Sequence, residues 1–138
     1  MPMNPQATVI PSSLFELPIH SVVSGTLYHD GWCTPYLCVH FPELHGRVQV
    51  EFEFWNPTMI DMDPNDIVVR ADHRAIASFS NLLPEQIRSV RHDMDIQDGQ
   101  GLFLSIRSAG RCPPSADDLR SLALVIRRLS VEQAQAES

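Results

Sequence analysis

Aromatic and acidic side chains occur together on two stretches of the sequence, at a spacing that would place them on one surface. Glu51, Glu53 and Trp55 alternate with apolar residues on one stretch, and Tyr36 and His40 do so on another. Alternate residues of a strand point to the same side, so pairing of the two strands would bring these five side chains together. Rings that stack and carboxylates that accept hydroxyl protons suit a sugar. Exposed aromatic rings are also common at protein interfaces, so a subunit contact is the competing interpretation.

The tetrapeptide HDGW at 29–32 is a second candidate site. Asp-Gly favours a tight turn, and this one lies between two apolar runs. As a binding site, Asp30 would accept sugar hydroxyls beside an aromatic ring. As architecture, Asp30 would only shape the turn, and Trp32 would close the open end of the core. We favour the architectural role.

The six histidines and three cysteines do not form the pattern of a zinc site. Zinc sites use closely spaced pairs of cysteine or histidine. Cys33, Cys38 and His40 are loosely compatible with that spacing, but an extended strand would place the two cysteines on opposite faces. We therefore predict no metal and no other cofactor. Because three cysteines cannot all pair within one chain, we also predict free thiols.

The chain lacks the short motifs of common enzyme classes. It has no Gly-x-Ser-x-Gly elbow, no phosphate-binding loop and no Gly-x-Gly-x-x-Gly motif. Carboxylate pairs such as Glu51 and Glu53 occur on any solvated strand face and do not indicate a glycosidase. We therefore assign no catalytic residue and rank an enzyme below a binding module and an interaction module.

The stretch 47–55 has the clearest secondary-structure signal. Val48, Val50, Phe52 and Phe54 alternate with polar residues along it, which predicts a half-buried strand. We expect these four side chains to be buried. The polar residues between them should face solvent or a partner.

Shorter runs of the same kind surround this strand and are separated by turn signals. About eight short strands predict an all-β fold, a two-sheet antiparallel sandwich of the jelly-roll kind. The segment 115–131 is ambiguous. Leu119, Leu122, Ile126 and Leu129 have helical spacing, whereas the β-branched residues among them favour a strand. A short C-terminal helix is therefore the alternative to a last strand.

Length and charge restrict the organisation and the partners. The 138 residues fit one domain, and we expect an extended arm at 1–13, the sandwich at 14–131 and a frayed tail at 132–138. The net charge of −7 repels phosphate backbones, so we predict no nucleic-acid partner. No apolar run reaches the ~18 residues of a membrane span, and the N-terminus lacks the features of a secretory signal. We therefore predict no membrane span and a cytoplasmic location.

Three motifs resemble one protein family. They are GTLYHDGW at 25–32, FWNP at 54–57 and DDLRSL at 117–122. Together they resemble the small β-sandwich domains attached to bacterial glycosyltransferases and polysaccharide-biosynthesis proteins. The resemblance spans residues 22–131. The chain departs from the family at Ala123, where the family usually has glycine.

The resemblance implies a jelly roll that recognises carbohydrate without catalysis and assists glycan or polysaccharide assembly, with a glycan or a glycosyltransferase as partner. It also implies that Arg120 pairs with Asp30 across the sandwich end. An interaction or assembly module that forms a homo-oligomer, such as a homodimer, without a small-molecule ligand is the alternative function. The family positions that carry over are Tyr28, Asp30, Trp32, Asn56, Asp118 and Arg120.

Overall fold

The computed structural model describes residues 20–28, 30–44, 46–97, 101–116 and 118–133. These residues form strands and no helix. The strands are β1 (Ser21–Ser24), β2 (Trp32–Cys33), β3 (Tyr36–Phe41), β4 (Gly46–Trp55), β5 (Asn65–Ala71), β6 (Arg74–Leu82), β7 (Ile87–Ile96), β8 (Leu102–Ser108) and β9 (Leu124–Gln133).

The strands form two antiparallel sheets. The five-stranded sheet has the order β1-β3-β8-β5-β6, and the four-stranded sheet has the order β2-β9-β4-β7. From β2 onwards, consecutive strands lie in opposite sheets except for the β5–β6 hairpin, which is the strand interleaving of a jelly roll. The predicted all-β, two-sheet antiparallel sandwich is confirmed.

Strand β4 supplies the central row of the core. Val48, Val50, Phe52 and Phe54 are buried between the sheets, while the polar residues that alternate with them are partly exposed. The predicted alternation is confirmed. It arises because β4 pairs with a strand on each side and only its inner face packs against the other sheet.

Strand β9 contains a bulge that explains the helical spacing of its apolar residues. Glu53 lies opposite Arg128 and Phe54 opposite Ile126, so Arg127 is an extra residue on β9. The inserted residue lets Ile126 and Leu129, which are three positions apart, both enter the core. The alternative of a short C-terminal helix is therefore wrong for the described part of 115–131.

A second apolar cluster covers one end of the outer face of the four-stranded sheet. Trp32 on β2 and Trp55 on β4 both lie opposite Val125 on β9. The loop before β5 and the loop before β9 cover these rings with Ile60 and Leu122. Trp55 is only 7% exposed, so the hypothesis that it lies on an open surface is wrong.

The ends of the chain are described only in part. Strand β9 continues to Gln133, so the first two residues of the predicted tail 132–138 pair with β4. The predicted arm at 1–13 and the rest of the tail lie outside the described residues. Within the described ranges, no helix is long and apolar enough to span a membrane.

Candidate functional site

The turn before β2 positions the carboxylate of Asp30, a candidate site residue. The N–H of Tyr28 donates to the carbonyl of Trp32 at 2.8 Å, and the N–H of Gly31 donates to the carbonyl of Tyr28 at 3.0 Å. Gly31 adopts a φ of 93°, in the left-handed region that favours glycine. The N–H of Trp32 donates to Oδ1 of Asp30 at 3.3 Å, which orients this carboxylate. Asp-Gly thus forms a turn here, as its composition indicates.

Arg120 binds Asp118 through both arms of its guanidinium. Its Nε donates to Oδ1 at 2.9 Å and its Nη2 donates to Oδ2 at 2.8 Å. The backbone N–H of Arg120 donates to the same Oδ1 at 3.1 Å. These hydrogen bonds from Arg120 lower the pKa of Asp118 to about 2 and raise the pKa of Arg120. Both groups are therefore charged at neutral pH.

Arg120 also reaches across the end of the sandwich to Asp30. Its Nη1 lies 3.2 Å from Oδ2 of Asp30, a residue 90 positions earlier in the chain. The guanidinium lies over the ring of Tyr28, 4.6 Å from the ring centre, in a cation–π contact. The pairing of Arg120 with Asp30 that the family resemblance implies is present. We call Asp30, Asp118 and Arg120 the charged triad.

The charged triad lies in an open cleft of about 500 Å³. Three loops form it, those before β2, β5 and β9, and the side chains of the triad are between 31% and 46% exposed. Solvent and a ligand can therefore reach all three charged groups. The remaining lining residues are Trp32, Met59, Cys112, Pro113, Ser115 and Leu122.

The thiols have little nucleophilic character. All three cysteines are free and buried. Burial raises the pKa of Cys112, which lines the cleft, to about 11, and the pKa of Cys33 to about 12. At neutral pH both are protonated, and a protonated thiol is a poor nucleophile.

Asn56 is fully buried and belongs to the framework. Its side-chain amide donates to the carbonyls of Leu82 and Leu83, and its Oδ1 accepts from Asn65. The N–H of Gly110 donates to Oδ1 of Asn65, so this network joins the ends of β4, β5, β6 and β8. A carry-over of Asn56 as a ligand contact does not fit this geometry, because the side chain meets no solvent.

The surface expected from Tyr36, His40, Glu51 and Glu53 is not formed. Strand β3 pairs with β1 and β8, and β4 pairs with β7 and β9, so the two pairs of residues lie on opposite sheets. The physical reason is the jelly-roll connection, which carries the chain from one sheet to the other between β3 and β4. The hypothesis of one shared aromatic and acidic face is wrong.

The carboxylates of β4 are neutralised by their neighbours. Glu51 accepts hydrogen bonds from Arg91 at 2.7 Å and from Arg128 at 3.1 Å, and these contacts lower its pKa, with Arg91 the first cause. Glu53 lies 3.6 Å from Arg127. The β9 bulge places both arginines of β9 on this face. The result is a surface of internal ion pairs.

Sequence reasoning missed two features of the surface. Met59 lines the cleft, but its loop has no periodicity from which its position follows. Phe103 stacks on His40 with ring centres 4.1 Å apart. Its signal was available, since Phe103 alternates with the core residues Leu102 and Leu104 and must therefore point outwards.

A scan against protein-family models and a search of curated proteins find no match. Among solved structures, the chain is similar to the C-terminal domain of EclA, described as a sugar-binding protein, with a TM-score of 0.46 and 11% sequence identity. The similarity covers 83% of this chain, which spans 65% of the length of that one. At this identity and score, it indicates nothing about which residues of this chain bind a ligand.

Proposed function

We propose that the protein is a non-catalytic carbohydrate-recognising module and that its sugar site is the cleft at the charged triad. One observation carries the proposal. An arginine held between two carboxylates, and supported by a tyrosine ring, stands in an open cleft with apolar side chains beside it.

The triad keeps free hydrogen-bonding capacity for hydroxyl groups. A guanidinium has five N–H donors, and the Nη2 of Arg120 uses one of its two in bonding Asp118. A carboxylate accepts at about four lone-pair positions. Asp30 accepts three hydrogen bonds and therefore retains acceptor capacity. Asp118 accepts four, all from Arg120, and serves to hold the guanidinium in place. A sugar hydroxyl can donate to a carboxylate while its oxygen accepts from Arg120. Neighbouring hydroxyls of one ring suit such alternating donors and acceptors.

The apolar side of the cleft suits the C–H groups of a sugar ring. Met59, which is 53% exposed, lines the cleft together with Leu122 and Trp32. The thioether side chain of methionine adapts to irregular apolar shapes. In an open cleft, a sugar gains few contacts beyond those of the water that it displaces. We therefore expect weak affinity for a single sugar.

The biological setting follows from the family resemblance. We propose that recognition serves glycan or polysaccharide assembly, with a glycosyltransferase as a protein partner. The cytoplasmic location stays a prediction from the sequence.

A homodimer is the second candidate, and edge strand β1 favours it. Val22 and Val23 are exposed, and among the described residues β1 pairs only with β3. An open edge strand with exposed valines is a template for a second copy. Sedimentation of wild type and Val22→Lys tests this candidate. It predicts a dimer that the lysine separates, and a wild-type monomer contradicts it.

The test of the cleft is a glycan array followed by calorimetric titration of the strongest neutral ligand. Arg120→Gln should reduce binding by more than about tenfold, because it removes the charge-assisted donors of the site. Arg91→Gln is the matched control, since Arg91 also binds a carboxylate but lies on the outer face of the four-stranded sheet. Equal affinity of Arg120→Gln and wild type, or no neutral glycan bound at all, contradicts the proposal.

A further inference from the structure

The outer face of the five-stranded sheet carries two ring-containing pairs in one line. Tyr36 on β3 lies opposite Arg107 on β8, whose guanidinium is 4.6 Å from the centre of the tyrosine ring. His40 lies opposite Phe103, and their rings stack at 4.1 Å with an angle of 12° between planes. The two pairs are four residues apart along β3, which corresponds to about 13 Å on a strand. A ligand that touches both pairs must be extended.

The exposed ring of this face is Phe103. It is 42% exposed, and one of its faces stacks on the ring of His40. Between the two pairs, Cys38 and Ser105 are buried, so the middle of the line is low. The face therefore offers a raised ring at one end and a tyrosine with a guanidinium at the other.

Two arginines of this face lack an ion-pair partner within the described part of the chain. Arg107 on β8 and Arg70 on β5 point outwards, and neither forms an ion pair with another residue that the structure describes. On the outer face of the four-stranded sheet the opposite holds. The arginines there that lie within ion-pair distance of a carboxylate are Arg47, Arg91, Arg127 and Arg128.

Arg70 and Arg107 thus carry positive charge without an ion pair among the described residues, in a chain of net charge −7. Arg70 lies opposite Ser105, and Val68 lies opposite Arg107, so the two arginines occupy diagonal positions on the adjacent strands β5 and β8. The guanidinium of Arg107 lies over Tyr36 on β3, the other neighbour of β8. The planar fork of arginine matches a carboxylate. Because the molecule as a whole repels anions, an anion bound here would be held by local contacts and not by net charge.

We propose that this face binds an acidic polysaccharide, with Arg70 and Arg107 pairing the carboxylates of its uronate units and Phe103 contacting a sugar ring. The choice of a glycan rests on the proposed function, whereas the anionic character of the ligand rests on the two arginines. An acidic peptide suits the face less well. Extended peptides gain affinity from main-chain hydrogen bonds at a sheet edge, and the backbone of this face is already paired within the sheet.

The test is a calorimetric titration with polygalacturonate oligomers. The comparison ligands are the methyl-esterified oligomer, which lacks the charges, and polyglutamate, which has charges but no sugar rings. The double variant Arg70→Gln/Arg107→Gln should weaken polygalacturonate binding by more than about tenfold, because charge-assisted pairs are lost. The matched control Arg91→Gln/Arg128→Gln loses the same charge from the other sheet and should bind as wild type does.

Each outcome decides the inference. Selective binding of polygalacturonate that is lost only in the Arg70/Arg107 variant supports it. Three results overturn it. Equal binding of the methyl ester would mean that the charge is not recognised, and equal binding of polyglutamate would point to a protein partner. Failure of polygalacturonate to bind would mean that this face is not an acidic-polysaccharide site. The cleft is assayed separately, since Arg120→Gln should keep polygalacturonate binding. If the face with Arg70 and Arg107 does not bind polygalacturonate, the binding of neutral sugar at the cleft should be unchanged.

Discussion

Arg120 joins three side chains from two distant parts of the chain. It binds Asp118 through a two-pronged contact, reaches Asp30 and covers the ring of Tyr28. A lysine has no planar fork and could not make the same set of contacts. The expectation of an Arg120–Asp30 pair came from the family resemblance. The sequence pattern alone could not have provided it, because no periodicity relates residues 90 positions apart.

The ionisation of Asp118 provides a test of the triad by pH. Its folded-state pKa is lowered from 3.8 to about 2, mainly by the hydrogen bond from Arg120. A lowered carboxyl pKa stabilises the folded state above the unfolded-state pKa, and this stabilisation is lost as the pH falls through the folded-state pKa. Asp118→Asn should therefore be less stable than wild type at pH 7, with a difference that shrinks between pH 4 and pH 2. Urea unfolding at several pH values measures this difference.

A stability difference that stays constant down to pH 2 contradicts the assignment. Ser115→Ala is a suitable control, because Ser115 lines the same cleft but carries no charge. Its effect on stability should not change over this range.

Strand β4 shows how far periodicity predicts structure. The alternation of its apolar residues correctly predicted which side chains enter the core. The same alternation placed Trp55 outwards, and Trp55 does face away from the core row. Its burial follows from loops that close over it with Ile60 and Leu122, and loop positions leave no periodic signal in the sequence.

Truncations along β4 separate core residues from surface residues. Phe52→Ala should lower the free energy of unfolding by about 3–5 kcal/mol, because it leaves a cavity between the sheets. Trp55→Ala should cost a similar amount, about 3–5 kcal/mol, through the loss of the second apolar cluster. Glu51→Ala should cost less than about 1 kcal/mol, since its ion pairs are surface contacts. Chemical denaturation measures all three, and a Trp55→Ala variant as stable as wild type contradicts the role of that cluster.

Strand β9 is an element whose secondary structure could not be predicted from the spacing of its apolar residues. Its apolar residues have helical spacing, yet they belong to a strand in which Arg127 is an extra residue. A bulge changes the period locally, so a rule based on strict alternation cannot distinguish it from a helical turn. The consequence for the surface is that Arg127 and Arg128 both reach the carboxylates of β4.

The two proposed binding surfaces lie on different parts of the sandwich. The cleft lies where the loops before β2, β5 and β9 meet, and the arginine face lies on the outside of the five-stranded sheet. Turn signals and alternating strands were enough to predict the sandwich. They could not show that β3 and β4 lie in different sheets, and Tyr36 and Glu51 were therefore expected on one surface. They also could not show which loops meet at one end, so the position of Met59 was not predicted.

The sugar site at the charged triad is tested most directly by titrating isotope-labelled protein with its strongest neutral glycan and following the backbone amide chemical shifts. The account predicts shifts at Gly31, Met59, Asp118 and Arg120 around the cleft, with little change at Glu51, which lies among the ion pairs of the outer face of the four-stranded sheet and does not line the cleft. Arg120→Gln should abolish these shifts while the rest of the spectrum stays that of the folded protein. Shifts confined to the outer faces of the sheets, or shifts that persist in Arg120→Gln, would contradict a sugar site at the charged triad.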